Sequence, residues 1–286
     1  MTFNDHKFML IQFGSNYNLI NDYNYITPNE DNLILPSNDI RDLGVQISCN
    51  GSYDDHISKI ISKANQRISL LLRTFNTRNP TLIKQLWHQY VQPILDYCSQ
   101  MWCPLEGGQL MCLESLLESY TKKIQGFQNL SYWDRLSKLK MSSIQRRFER
   151  YKILYCHKIL YNLTDNCNLD WTYSEKTGYN FATKKCEAKA NRRRLQPFQY
   201  SGPRLYNSIP LYLRKKGDLS LLSWKNSLDK FLESIPDNPV TSKITSGLCN
   251  IYTSRPTNSL IRWIPALHLN GRRADTPPNY DVNSTL

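Results

Sequence analysis

Apolar residues in the first fifty positions come in short compact runs; after Ser52 they settle into steps of three and four. Lys7-Phe-Met-Leu-Ile-Gln-Phe13 is a strand-like run closed by the turn-forming Gly14-Ser-Asn16. A second apolar run, Leu33-Ile-Leu35, follows Asn-rich sequence, and Ile40–Ile47 alternates as a strand with Gly44 at its centre, where a bulge or close backbone approach is expected. From Ser52 the helical period takes over: Ile57, Ile60, Ile61, Ala64, Ile68, Leu71, Leu72 and Phe75 share one face. Ser52 or the aspartates after it suit the helix start, and Asp54 and Asp55 suit the positive end of its dipole.

Asn79-Pro80 opens a second helix, expected to run to about Trp102 with a kink at Pro93. Gly107-Gly108 breaks the chain, and Gln109–Gln125 forms a third amphipathic helix with Leu113, Leu116, Leu117 and Ile124 inward. Three such helices joined by short loops can share one core, so a bundle is expected over about Ser52–Phe127. A short helix around Tyr132–Leu139 and a long one over about Ser143–Leu163 come next. Thr164–Gln199 reads as polar and irregular, Arg204–Pro210 as an ordered turn that docks, and Leu219–Ser234 as a last helix.

The expected fold is α+β and mostly α-helical: a short N-terminal β segment, a helical bundle, then further helices. The expected division is 1–50 strands, 51–128 helical bundle, 129–236 basic helical region and 237–286 poorly structured tail.

Charge sharpens this picture. The net charge is +12, and between Ser143 and Lys216 there are 16 Lys/Arg against 5 Asp/Glu, an excess of 11. Nearly all the net charge thus sits in about a quarter of the chain, as a polyanion-facing region requires. Eight cysteines show no C-x-x-C pair and no zinc-ligand spacing. With no signal-like start and no 18-residue apolar run, they are expected to be reduced, intracellular and mostly buried, and no membrane partner is expected. No Gly-rich phosphate loop and no Ser/His/Asp or Cys/His arrangement suggests an independent enzyme.

The order of several segments resembles the non-LTR (LINE-like, jockey-like) retrotransposon reverse transcriptases. Lys7–Asn16 resembles the strand that follows the catalytic hairpin, and Arg41-Asp-Leu-Gly-Val45 resembles the motif that ends the palm near the primer grip. Ser52–Ile57 with Lys63-Ala-Asn-Gln-Arg67 resembles the opening of the thumb. The most specific likeness is Leu86–Trp102, where Pro93, Leu95, Asp96, Tyr97 and Trp102 fall in register. Ser131-Tyr-Trp-Asp-Arg-Leu136, Arg146-Arg147 with Lys152–Tyr155, and Arg204–Pro210 continue the likeness, with Tyr206 and Ile209 as departures. It covers roughly Lys7–Glu233.

The resemblance implies the C-terminal part of an RNA-directed DNA polymerase: end of palm, thumb and downstream region. The family's catalytic aspartates and their two Mg2+ lie in a part of the palm that would precede Met1, so no catalytic residue, metal or cofactor is expected here. Tyr53-Asp54-Asp55 lacks the hairpin's intervening residue and is expected to open a helix. What remains is a grip on template RNA, DNA primer or target DNA, with the missing palm and fingers as a further partner.

Candidate phosphate contacts are Lys59, Lys63 and Arg67 at helical spacing, with Asn65, Arg73 and Arg78; Arg41 and Gly44 near a primer terminus; and Arg146, Arg147, Arg150, Lys184, Lys185, Arg192, Arg193 and Arg194. A domesticated nucleic-acid-binding module and a protein-interaction scaffold, both without polymerase activity, are the alternative readings.

Overall fold

A computed structural model describes residues 8–13, 34, 36–103, 107–164, 169–183, 197–215, 220–235 and 237. Its fold is α+β and mostly helical, as expected. The described residues form two compact units, one ending at Lys63 and the other starting at Ala64. The first division thus falls inside a helix, whereas positions 128 and 129 lie within the same unit.

In the first unit, β1 (Leu10–Ile11) pairs in parallel with β2 (Pro36–Ser37). β3 (Asp39–Asp42) and β4 (Val45–Ser48) form an antiparallel hairpin in which Asp42 faces Val45. The expected single strand over Ile40–Ile47 is therefore two strands. Leu43 and Gly44 both have positive φ, 45° and 90°, which is how a two-residue hairpin turn matches the strand twist. Glycine tolerates that conformation at no steric cost, whereas Leu43 holds it as a leucine 83% exposed.

Helix α1 (Asp54–Thr74) opens where the Ser52 hydroxyl accepts from the Asp54 amide at 3.0 Å. Asp54 and Asp55 lie exposed in its first turn, as expected. Val45, Ile57 and Ile60 form the buried apolar side of the first unit.

In the second unit, α2 (Pro80–Leu86) starts at Asn79, whose side chain accepts from the Thr81 amide at 2.9 Å. The helix expected to continue to Trp102 is broken into pieces. A π-turn at Trp87–Val91 precedes α3 (Gln92–Asp96), and the Gln92 amide reaches back to the Trp87 carbonyl. Pro93 has no amide to give to the preceding turn, and the wider turn just before it absorbs that defect. Cys98 at φ 52° then separates α3 from α4 (Ser99–Trp102). Trp102 is fully buried, donates Nε1–H to the Tyr97 carbonyl at 2.7 Å and meets Phe148 edge-on at 5.4 Å.

Helix α5 (Gly107–Thr121) buries Leu113, Leu116, Leu117 and Tyr120. Helix α6 (Tyr132–Leu139) begins at Ser131, whose hydroxyl accepts from the Asp134 amide. Its Arg135 is buried and holds the end of α5. Nε donates to Thr121 Oγ1 at 3.1 Å, one Nη to the Leu130 carbonyl at 2.6 Å and the other to the Glu118 carbonyl at 3.2 Å. Arg135→Ala takes away all three donors, the one to the Leu130 carbonyl among them, and urea unfolding should show a loss of about 2–4 kcal/mol. An unchanged midpoint would contradict this capping role.

Helix α7 (Ile144–Leu160), with Ser143 as its cap, is the axis of this unit. One side packs on α4 and α5 and another on α8 (Pro197–Ser208). The segment expected to be irregular contains a hairpin, β5 (Trp171–Ser174) and β6 (Gly178–Phe181), and the expected Arg204–Pro210 turn is mostly the second half of α8. Gly202, inside α8, is there for contact. A Cβ on it would lie 2.8 Å from the Phe198 ring and 3.2 Å from Cys156 Sγ. Asn207 clamps β6, accepting from the Phe181 amide at 2.8 Å and donating to its carbonyl at 2.7 Å.

Helices α9 (Leu211–Lys215) and α10 (Leu221–Glu233) complete this core. At its centre Trp224 stacks on His157 at 3.6 Å and donates to the Leu213 carbonyl at 2.9 Å. Burial pushes the His157 imidazole down to about 4, so the ring stacks uncharged at neutral pH.

Candidate nucleic-acid interface

Lys59, Lys63 and Arg67 all lie exposed at four-residue steps along α1, with Arg73 exposed further on. The apolar positions Ile57, Ile60, Ala64, Ile68 and Leu71 turn the opposite side inward, which leaves the row in solvent. Arg78 does not join it. Its guanidinium donates to the Phe75 carbonyl and, at 2.7 Å, to the Leu72 carbonyl, closing the end of α1.

The β3–β4 hairpin is fastened to the start of α1. The Gln46 amide donates to His56 Nδ1 at 3.2 Å, Lys59 Nζ donates to Gln46 Oε1 at 3.1 Å, and Gln46 Nε2 donates to Asp39. Arg41 stands exposed opposite Gln46 in the register. His56 is held below the ordinary imidazole range, first by burial and then by the positive charges of Arg41 and Lys59. Those two cations therefore share one electropositive neighbourhood, and Gly44 lies exposed at the hairpin tip.

The arginines of α7, expected to hold nucleic acid, are instead engaged within the fold. Arg146 is 2% exposed and pairs with Asp237 at 3.4 Å and Glu149 at 3.9 Å. Arg147 pairs with Asp96, which also accepts from the Tyr151 hydroxyl at 3.0 Å. Gln92, with its amide turned to suit its neighbours, donates to His88 Nδ1 at 2.5 Å and accepts from Arg147 at 2.5 Å. Arg150 grips Asp229 with two bonds, at 2.5 and 2.7 Å. Apart from Glu149 of α7 itself, the acidic residues come from α3, α10 and Asp237, far away in sequence, so local charge counting credits α7 with cations that the fold neutralises. Lys184, Lys185, Arg192, Arg193 and Arg194 lie outside the described residues.

Aromatic residues are exposed as well: Tyr90 is 46% and Tyr97 53% exposed. The reading missed the β5–β6 ribbon, where Trp171 (42% exposed) and Tyr173 (51%) flank Tyr179 at 5.5 and 4.8 Å. Its sequence signal was the alternation Trp171-Thr-Tyr173, two aromatics on one strand face.

One half-buried carboxylate lies apart from these cations. Glu114 on α5 accepts from the Tyr132 hydroxyl at 2.6 Å and the Gln145 amide at 2.8 Å, at the start of α7. Burial, with Asp237 nearby, pushes it up to about 7 against the hydrogen bonds that favour its charge. A carboxyl raised in the folded state favours folding below its unfolded value, and that contribution fades as pH rises to about 7. Glu114→Gln should therefore flatten the stability profile between pH 5 and 8 by about 3 kcal/mol. Denaturant unfolding at both values measures it, and an unaltered profile would contradict the assignment.

Among the described residues, no cluster of three or more His, Cys, Asp or Glu is arranged to hold a metal, and no helix is long and apolar enough to cross a membrane. No protein-family model and no solved structure matches the chain. An uncharacterized protein of Caenorhabditis elegans is 30% identical over 113 residues, which is 38% of this chain and 57% of that protein. The chain thus spans little more than half the length of the relative it matches.

Proposed function

We propose that the chain is the thumb and downstream part of a non-LTR retrotransposon reverse transcriptase, and that it grips an RNA–DNA template-primer without supplying catalytic aspartates. The observation that carries this reading is the exposed row Lys59, Lys63 and Arg67 along α1. Burial lowers His56 first, and the positive charges of Arg41 and Lys59 beside it lower it further. The ordered likeness of segments from Lys7 to Glu233 supports the family reading. Contacts of this kind hold phosphates and do not read bases.

Titration of an RNA–DNA duplex with the full chain at low salt, followed by a primer-extension assay with Mg2+ and deoxynucleotides, tests it. The expected result is a retarded complex and no extension. Extension by residues of this chain, or a duplex that migrates free, would overturn it. A docking role toward a palm domain has its own support: Phe8, Met9 and Phe13 are exposed apolar residues beside β1.

A further inference from the structure

We propose that the groove between α4, α7 and α10 is a single-strand site, holding one nucleotide of an RNA or DNA strand; this rests on the nucleic-acid reading above. The groove encloses about 190 Å3 and is lined by Tyr151, Leu154, Tyr155 and Lys158 of α7, with Arg150, Gln100 and Lys225 at its sides. Positions 151, 154, 155 and 158 follow three- and four-residue steps, so two rings and a cation share one stripe of α7.

The charges in the groove are not equivalent. Arg150 is committed to Asp229 by two hydrogen bonds. For Lys158 and Lys225 no ion pair is found among the described residues. Two lysines thus bring positive charge to a groove whose arginine is already neutralised. The aromatic groups are held in place. The Arg147 and Arg150 guanidiniums stand 5.7 and 5.8 Å from the centre of the Tyr151 ring, and its hydroxyl reaches Asp96. Tyr155 meets Phe198 edge-on at 4.9 Å, and its hydroxyl accepts from Thr164 at 3.4 Å.

Fixed rings beside two lysines suit a ligand with a planar ring and a phosphate. A base stacks on Tyr155, and Lys158 and Lys225 take the flanking phosphates. Volume selects the source. Sites that enclose a whole small molecule run to roughly 300–1,000 Å3. This smaller groove fits a fragment of a longer ligand, so the nucleotide belongs to a strand and is not free.

The test uses the full chain and fluorescein-labelled oligouridylate in anisotropy titrations, with RNA–DNA duplex, adenosine monophosphate and polyglutamate alongside. The double variant Lys158→Gln/Lys225→Gln should weaken oligouridylate binding at least tenfold and leave duplex affinity within twofold. Photocrosslinking of 4-thiouridine-substituted oligonucleotide to the unaltered protein should map to the α7 stripe around Tyr155, a readout that needs no variant. Crosslinks confined to other elements, or unchanged binding by the double variant, would overturn the proposal. So would competition by adenosine monophosphate or polyglutamate as strong as by the oligonucleotide. Duplex binding without single-strand binding would overturn this site and leave the duplex grip standing, whereas loss of both would end both readings.

Discussion

Replacing Lys59, Lys63 and Arg67 together by glutamine should cut affinity for an RNA–DNA duplex on the order of 10²–10³-fold at 0.1 M salt. Each phosphate contact contributes about 0.9 to the slope of log affinity against log salt, so three lost contacts flatten it by about 2.7. The three side chains are exposed, and removing them opens no cavity and breaks no ion pair found among the described residues. Lys59 gives up one bond to Gln46, while the hairpin keeps its link through His56. The folded fraction should therefore hold while binding falls. Anisotropy titrations at several salt concentrations, with a thermal melt as control, measure both. A variant with wild-type affinity and slope would show that α1 is a solvated face only.

Arg147→Met should do the reverse, lowering stability by about 3–5 kcal/mol with duplex affinity unchanged. Removing one partner of a half-buried pair leaves the other charge poorly compensated. Here the orphan is Asp96, left with the Tyr151 hydroxyl, and Gln92 loses the donor to its carbonyl. The contact joins α3 to α7, so the cost falls on the packing of the second unit. Urea unfolding and the same titration separate the two effects. Weakened binding at full stability would restore Arg147 to the interface.

The legible parts of the chain were those whose signals are local. Asn79-Pro80, Ser131 and Ser143 mark helix starts by chemistry within three residues, and each start lies where that chemistry puts it. Helical spacing in α1 likewise separated Ile57, Ile60 and Ala64 from the exposed row of cations. Signals that depend on distant partners were not legible. Nothing near Arg146, Arg147 or Arg150 tells that Asp237, Asp96 and Asp229 arrive to neutralise them. The need for glycine at 202 shows only once Phe198 and Cys156 are packed against it. Leu43-Gly44 was taken as the middle of a strand because leucine rarely adopts the positive φ that this hairpin imposes.

The same segments that resemble reverse transcriptase motifs also carry the fold. Asp96, Tyr132, Arg135, Arg147 and Asn207 each bind another element or a chain end. Their chemistry alone therefore does not distinguish a retained grip on nucleic acid from a retained scaffold. The exposed cations of α1 contribute little to packing, so replacing them tests the grip separately from the scaffold.

The most direct measurement is the affinity of the full chain for an RNA–DNA duplex between 50 and 200 mM salt. A row of three phosphate contacts gives a slope of about −2.7, a loss of roughly 40-fold over that fourfold change in salt. A duplex that stays unbound at 50 mM, or an affinity indifferent to salt, would contradict the account.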